Sequence, residues 1–183
     1  PGHRGGVSDA LGVDDDVIVA FPSRNLFSWT MLNYGKVHAA GAELNTFWQY
    51  RISGKYILRL NGSVTYQKAV DRTDPESKTF NHQIPYTPLW SGSTSLSMQT
   101  PWITVTYALI GCGKRYSLPQ NIPANEVAGY VDQSVTLGRD FDFRKSSLGL
   151  KLELLNIANR HYEIIRNYPM QGFGLRLKIT YSL

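Results

Sequence analysis

The C-terminal segment Phe173 to Leu183 alternates without a fault. Phe173, Leu175, Leu177, Ile179, Tyr181 and Leu183 fall at every second position, and Gly174, Arg176, Lys178, Thr180 and Ser182 fill the gaps. Successive side chains of an extended chain point to opposite faces, so this segment has one wholly apolar side and one small or polar side. Such a strand belongs between an apolar medium and water. The pattern recurs upstream. Tyr56, Leu58, Leu60, Gly62, Val64 and Tyr66 oppose Arg59, Asn61, Ser63, Thr65 and Gln67, with Ile57 as the exception. Ile103, Val105, Tyr107 and Leu109 oppose Thr104, Thr106 and Ala108, and Leu148, Leu150, Leu152 and Leu154 oppose Gly149, Lys151 and Glu153. Val131, Val135 and Leu137 oppose Asp132, Ser134 and Thr136, although Gln133 interrupts the apolar side. A further long strand is expected from Gly35 to Tyr50.

The connections alternate as well. Short turns are expected at Ser53 to Lys55, at Gln99 to Pro101 and around Gly138 to Asp142. Longer irregular segments are expected at Pro22 to Asn33, Ala69 to Tyr86, Gly113 to Ala128 and Ala158 to Gln171. Short turn, long loop, short turn is the layout of an outer-membrane barrel, and it puts Leu183 on the short-turn side. The aromatics Trp48, Tyr50, Tyr56, Trp102 and Tyr181 lie near expected strand ends, where interfacial girdles form. A soluble antiparallel sandwich alternates too, but its strands rarely reach a dozen residues. The fold class expected is therefore all-β, an antiparallel transmembrane β-barrel segment of about eight strands. Residues 16–183 form these strands, and residues 1–15 fit poorly, as a degraded strand, a linker or added sequence.

Composition excludes several other classes. Hydrophobic residues make up 42% and charged residues 18%, so the chain is neither disordered nor a coiled coil. The net charge of +5 is spread singly, without the basic stripe that nucleic-acid binding needs. Cys112 is the one cysteine, which excludes an internal disulfide framework and a thiolate metal cage. His3, His38, His82 and His161 lack metal-ligand spacing, and no cofactor is expected. No apolar run approaches the roughly 18 residues of a spanning helix, which says nothing against a barrel.

Catalytic readings find little support. Gly111-Cys112-Gly113-Lys114 superficially suggests a phosphate loop, but the second glycine spacing and the following Ser or Thr are missing. Asp132 and Glu153 form an imaginable acid–base pair. A better reading places Asp132, Lys151, Glu153 and Lys178 on the polar faces of neighbouring strands as a lumen charge ladder. The spelling Asn61-Gly62-Ser63 lies within a strand and is discounted as a glycosylation site. Ligand contacts are expected from the long loops, with Trp29, Tyr116, Asn121, His161 and Tyr168 as candidates. An enzyme is not expected.

Several segments resemble TonB-dependent receptors, most closely the cobalamin- or siderophore-type receptors of the Bacteroidetes. They are Asn25 to Val37 leading into Gly41-Ala42-Glu43; Ile84-Pro85-Tyr86-Thr87-Pro88; and Leu154 to Asn159 with Tyr162-Glu163 and Asn167-Tyr168-Pro169-Met170. The final strand, Phe173, Leu175, Leu177, Ile179, Tyr181 and Leu183, resembles the signal read by the barrel-assembly machinery. Two departures stand out: Leu183 where an aromatic is commoner, and Gln171-Gly172 where Pro-Gly-Arg is expected. The resemblance implies the C-terminal part of a larger barrel in the bacterial outer membrane, taking up a scarce nutrient. Its implied partners are outer-membrane lipid, the barrel-assembly machinery, and the TonB complex acting through a plug domain absent from this chain. The nutrient itself is not indicated. Two other classes stay open: a small stand-alone outer-membrane barrel acting as anchor or adhesin, and a soluble lipocalin-like barrel with its apolar face inward.

Overall fold

A computed structural model of the chain describes the backbone of residues 6–9, 13–22 and 29–183, with side chains from residue 35 onward. The strands are β1 (Gly6–Asp9), β2 (Val13–Pro22), β3 (Trp29–Ser53), β4 (Tyr56–Asp71), β5 (Trp90–Gln99), β6 (Thr104–Cys112), β7 (Arg115–Tyr116), β8 (Glu126–Val127), β9 (Tyr130–Asp142), β10 (Ser147–Leu155), β11 (Glu163–Ile165), β12 (Tyr168–Pro169) and β13 (Gly174–Ser182). One large antiparallel sheet runs β3-β4-β5-β6-β9-β10-β13, and both β1 and β2 pair with β3. β1 pairs the stretch Ala42 to Asn45 and β2 the stretch Trp29 to Ala39, so the two share one strand position. The wall is eight strand positions wide. Among the described residues neither edge has a further partner.

The register carries the sequence alternation across the whole sheet. Tyr50, Leu58, Met98, Val105, Leu137, Leu152 and Leu177 are consecutive cross-strand partners, as are Trp48, Leu60, Leu96, Tyr107, Val135, Leu154 and Leu175. Between these rows, on the other face, run Gln49, Arg59, Ser97, Thr106, Thr136, Glu153 and Arg176. The polar row bonds to itself: Arg59 donates to Gln49 at 2.9 Å, Thr106 donates to Ser97 at 2.9 Å, and Arg176 pairs with Glu153. Among the described residues the apolar rows have no cover. Leu175, Leu177 and Ile179 are each more than 60% exposed. Gln133, which interrupts the apolar face, takes a hydrogen bond from the Tyr107 hydroxyl at 2.9 Å.

Aromatic pairs bracket the apolar band. Tyr56 meets Trp102 edge-on at the short-turn end, and Tyr66 meets Trp90 at 4.8 Å toward the loop end. From Tyr56 to Tyr66 along β4 is about 33 Å of strand at roughly 3.3 Å per residue. Tilted by about 40°, that span gives a band about 25 Å tall, the height of the apolar belt of membrane barrels.

Two boundaries differ from expectation. The turn expected at Gly138 to Asp142 is strand, and the chain reverses at Phe143, whose N–H donates to the Ser146 carbonyl at 2.7 Å. Arg139 hid the alternation: it occupies an apolar-face position opposite Leu150, with its guanidinium 4.6 Å from the Phe141 ring centroid. A long basic side chain near a strand end reaches the interface while its stem covers apolar surface. The irregular stretch expected up to Asn33 also shortens, because Trp29 to Asn33 pairs with Ile18 to Pro22. The long strand expected over Gly35 to Tyr50 accordingly runs from Trp29 to Ser53.

Candidate functional site

The three long connections with described side chains, 72–89, 113–129 and 156–173, emerge at the same end of the sheet. Each is held by polar groups that water no longer reaches. At the foot of and within these segments the buried residues are mostly polar, Asp71, Gln83, Arg115, Ser117, Asn125 and Asn156, with Pro85 and Val127 buried beside them. A buried polar group must find partners, so each acts as a clip.

In the first loop, Gln83 accepts from the Ala69 N–H at 3.2 Å and donates to the Gln67 and Thr87 carbonyls at 3.3 Å. This seats Ile84 against Val37 and Ala69, on the polar face of β3 and β4. Asp71 accepts from the Thr73 N–H at 2.9 Å and the Thr79 hydroxyl at 2.7 Å. Burial pushes its carboxyl up, but these hydrogen bonds and nearby His82 together outweigh that and hold it below the ordinary carboxylate value. Tyr86 holds a left-handed backbone at φ 58, a strained state for an aromatic residue, and its N–H donates to the Tyr116 carbonyl at 2.8 Å. Its hydroxyl is buried beside the Arg166 backbone.

The second and third loops are joined by arginines. Arg115, 3% exposed, donates to the carbonyls of Glu163 at 2.7 Å, Ile164 at 2.6 Å and Ala128 at 3.4 Å. Arg166 returns the link, reaching the Ser117 hydroxyl and the Ala124 carbonyl. Asn156, with φ 46, donates to the Arg160 and Gln171 carbonyls and accepts from the Arg160 N–H. Tyr162 fastens the third loop to the wall by donating to Asp132 at 2.8 Å, and its ring stacks on Tyr130 at 4.3 Å. Burial first, and then the bond to the Asp132 carboxylate, push the Tyr162 hydroxyl up to about 12. The loops therefore form one continuous cap that folds over the polar face.

The expected ligand residues divide. Asn121 is spent on structure: its amide accepts from the Gln83 N–H at 2.6 Å and donates to the Gln83 carbonyl at 3.0 Å, and its N–H reaches His82. Tyr116 lies in β7, half-buried, with its carbonyl engaged by Tyr86. His161 and Tyr168 are exposed on the third loop. Trp29 opens β3, and its side chain lies outside the described residues. Of the charge ladder, Lys151 and Glu153 meet at 2.7 Å, and Arg176 joins them on Glu153. Lys178 stands opposite Lys151 in register. Asp132 sits apart, opposite Ile110, while Glu153 stands opposite Thr136 further along β9, so the two carboxylates do not form a pair. Phe173 precedes β13 and Leu183 follows it, and Leu175, Leu177, Ile179 and Tyr181 line its exposed apolar side.

Sequence reasoning missed the clips Arg115, Arg166, Gln83 and Asn156. Asparagines at 156, 159 and 167, all with positive φ, carried a usable signal of tight, ordered turns. An arginine that bonds carbonyls of another loop carries none.

Residues 13–159 match the family model described as TonB dependent receptor-like, beta-barrel. No curated protein matches the chain. Among solved structures, BauA, the ferric preacinetobactin receptor from Acinetobacter baumannii, superposes with a TM-score of 0.62 at 16% identity over 93% of this chain. FyuA, the ferric yersiniabactin uptake receptor from Yersinia pestis, gives 0.53 at 17% identity over 83%. The chain spans only 25% and 24% of those two proteins, respectively, and likeness at such identity speaks for the fold alone. With an antiparallel wall apolar on one face, loops gathered at one end and a family match over most of its length, the chain belongs to the TonB dependent receptor-like, beta-barrel family.

Proposed function

We propose that this chain is the C-terminal part of the wall of an outer-membrane receptor that takes up a scarce nutrient with energy supplied through TonB. The observation that carries the reading is the pair of unbroken apolar rows crossing seven strands with none of the described residues covering them. Large apolar patches of this kind mark a membrane or a partner surface. The band height suits lipid. The cap folds over the polar face and leaves the apolar face bare, the reverse of what a lipocalin-like barrel requires.

In this reading the polar face borders the space that a plug fills, and Lys151, Glu153, Arg176 and Lys178 face that space. The outer membrane holds no ATP, so an active step needs a mechanical partner, which the TonB complex supplies through the plug. The barrel-assembly machinery reads the last strand. The cargo is a ferric chelate or cobalamin, captured at the exposed third loop by Tyr168 and His161. Ferric chelates have the added support that the two similar structures are named as receptors for ferric preacinetobactin and ferric yersiniabactin. The Bacteroidetes type remains the sub-family proposed.

The test uses single cysteines at Leu96 and Ser95 in the full-length protein, with Cys112 replaced by serine. A dye on Leu96→Cys is expected to be quenched by brominated lipid, and Ser95→Cys to react with a water-soluble maleimide. The opposite pattern overturns the membrane reading. For cargo, loss of the gene is expected to abolish growth on one chelate or on cobalamin as completely as loss of TonB does. Unchanged growth on all of them overturns the uptake reading.

A further inference from the structure

A single charge interrupts the apolar face from β5 to β13. The apolar-face positions of β5, β6, β9, β10 and β13 are uncharged except for Arg139. Arg139 stands opposite Leu150, which in turn stands opposite Ile179. Pairing between β6 and β9 stops at Thr104 and Gly138, so Arg139 is the first residue of β9 past that seam. Trp102 and Tyr181, both largely exposed, mark this end of the sheet, where amphipathic rings meet lipid headgroups. A cation on a lipid-facing strand is costly at mid-depth and tolerated close to the interface.

The Arg139 guanidinium, 4.6 Å from the Phe141 ring centroid, is restrained by a contact that uses none of its N–H donors. Among the described residues it has no hydrogen bond and no ion pair. The turn that follows adds Arg144 and Lys145, both exposed and equally without a partner among the described residues. The acids of this hairpin, Asp132, Asp140, Asp142 and Glu153, all stand on the polar face, and β13 contributes none. Neither Asp140 nor Asp142 forms an ion pair with the three cations. β1 and β2 join the sheet at β3, four strand positions away from β9.

We propose that Arg139, steadied by Phe141 and assisted by Arg144 and Lys145, binds the phosphate of an anionic phospholipid in the leaflet on the short-turn side. The proposal rests on the apolar face meeting lipid. A guanidinium presents parallel N–H donors that match two phosphate oxygens, and stacking on a ring leaves those donors free at its edge. Leu150, Leu152 and Leu137 continue the same face from Arg139 into the apolar band, where the acyl chain of that lipid lies. A zwitterionic headgroup brings its own cation toward three others, and an anionic headgroup does not.

The test places a dye on Leu152→Cys in the full-length protein in vesicles, with Cys112 replaced by serine. Quenching by phosphatidylglycerol with brominated chains is compared with quenching by phosphatidylcholine with the same chains. With Arg139 present, phosphatidylglycerol is expected to be favoured by at least about fivefold, the preference that one basic residue confers near an anionic surface. Arg139→Gln is expected to lower that preference about fivefold while keeping heat-modifiable migration, which reports correct folding. Arg144→Gln combined with Lys145→Gln is expected to lower it by a smaller factor. A dye on Leu96→Cys, out on β5, is expected to show no such preference. Equal quenching by the two lipids at Leu152→Cys, or a preference that Arg139→Gln leaves undiminished, overturns the proposal. So does an equal preference at Leu96→Cys, which would make the effect a diffuse one, or a larger loss from the turn pair than from Arg139→Gln. Absence of quenching by either lipid at Leu152→Cys overturns the membrane reading beneath it, a separate readout.

Discussion

The wall and the cap satisfy the same chain by opposite means. In the wall the backbone of every strand between the two margins is satisfied by ladder hydrogen bonds, and large apolar side chains stay uncovered. In the cap the ladders shrink to β7 with β8 and β11 with β12, and buried arginine, asparagine, glutamine and aspartate take over. The wall depends on a medium outside the protein. The cap depends on hydrogen bonds among its own loops, which are strong only where water is kept out. Removing the medium should unmake the first and spare much of the second, while removing one clip should do the reverse.

The most damaging change tests the wall. Leu96→Arg, in the middle of the apolar band, is expected to cost about 2–4 kcal/mol in urea unfolding from vesicles, whereas neighbouring Ser95→Arg on the polar face costs far less. Equal costs for the two would erase the distinction between the faces. In the cap, Arg115→Ala strands the carbonyls of Glu163 and Ile164 and removes charged hydrogen bonds worth about 3 kcal/mol. Amide exchange is expected to accelerate in 113–129 and 156–173 and to stay unchanged in β4 and β5. Spread of that effect into the wall would show that the two regions are not separable. Asn156→Ala is milder, about 2 kcal/mol, since it loses three hydrogen bonds and places alanine at positive φ. Its exchange signature should remain within the third loop.

The smallest effect is pH-dependent. The fold favours neutral Tyr162, so its contribution is complete below about pH 10, where the unfolded chain is still protonated. It is lost as pH rises from there toward about 12, because the unfolded state ionises first. Protection of the third loop should fall over that window in the wild type and not in Tyr162→Phe. A parallel decline in both proteins would assign the loss to other groups.

The wall was legible because alternation is a local property that the register merely repeats. Leu175, Leu177 and Ile179 declare their face without reference to any other strand. Where it failed, at Arg139, the reason was a side chain that serves two environments along its length. The cap was legible only as loops. Asn121, expected to meet a ligand, instead holds Gln83, and nothing near it in sequence says so, because its partner lies 38 positions away. The same holds for Arg115, whose partners are 48 and 49 positions distant. Long-range clips are chosen by tertiary proximity, and a single sequence does not display it.

The two margins of the sheet, unpaired among the described residues, have a geometric consequence. β3 and β13 both run toward the short-turn end, and β2, antiparallel to β3, runs away from it. The outermost strands therefore point in opposite directions. In hydrocarbon each margin must be zipped to another strand, since an unbonded amide or carbonyl there costs several kcal/mol. If every new seam is antiparallel like the existing ones, strands can be inserted between the margins only in pairs. Added to eight positions, that gives a cylinder with an even number of staves.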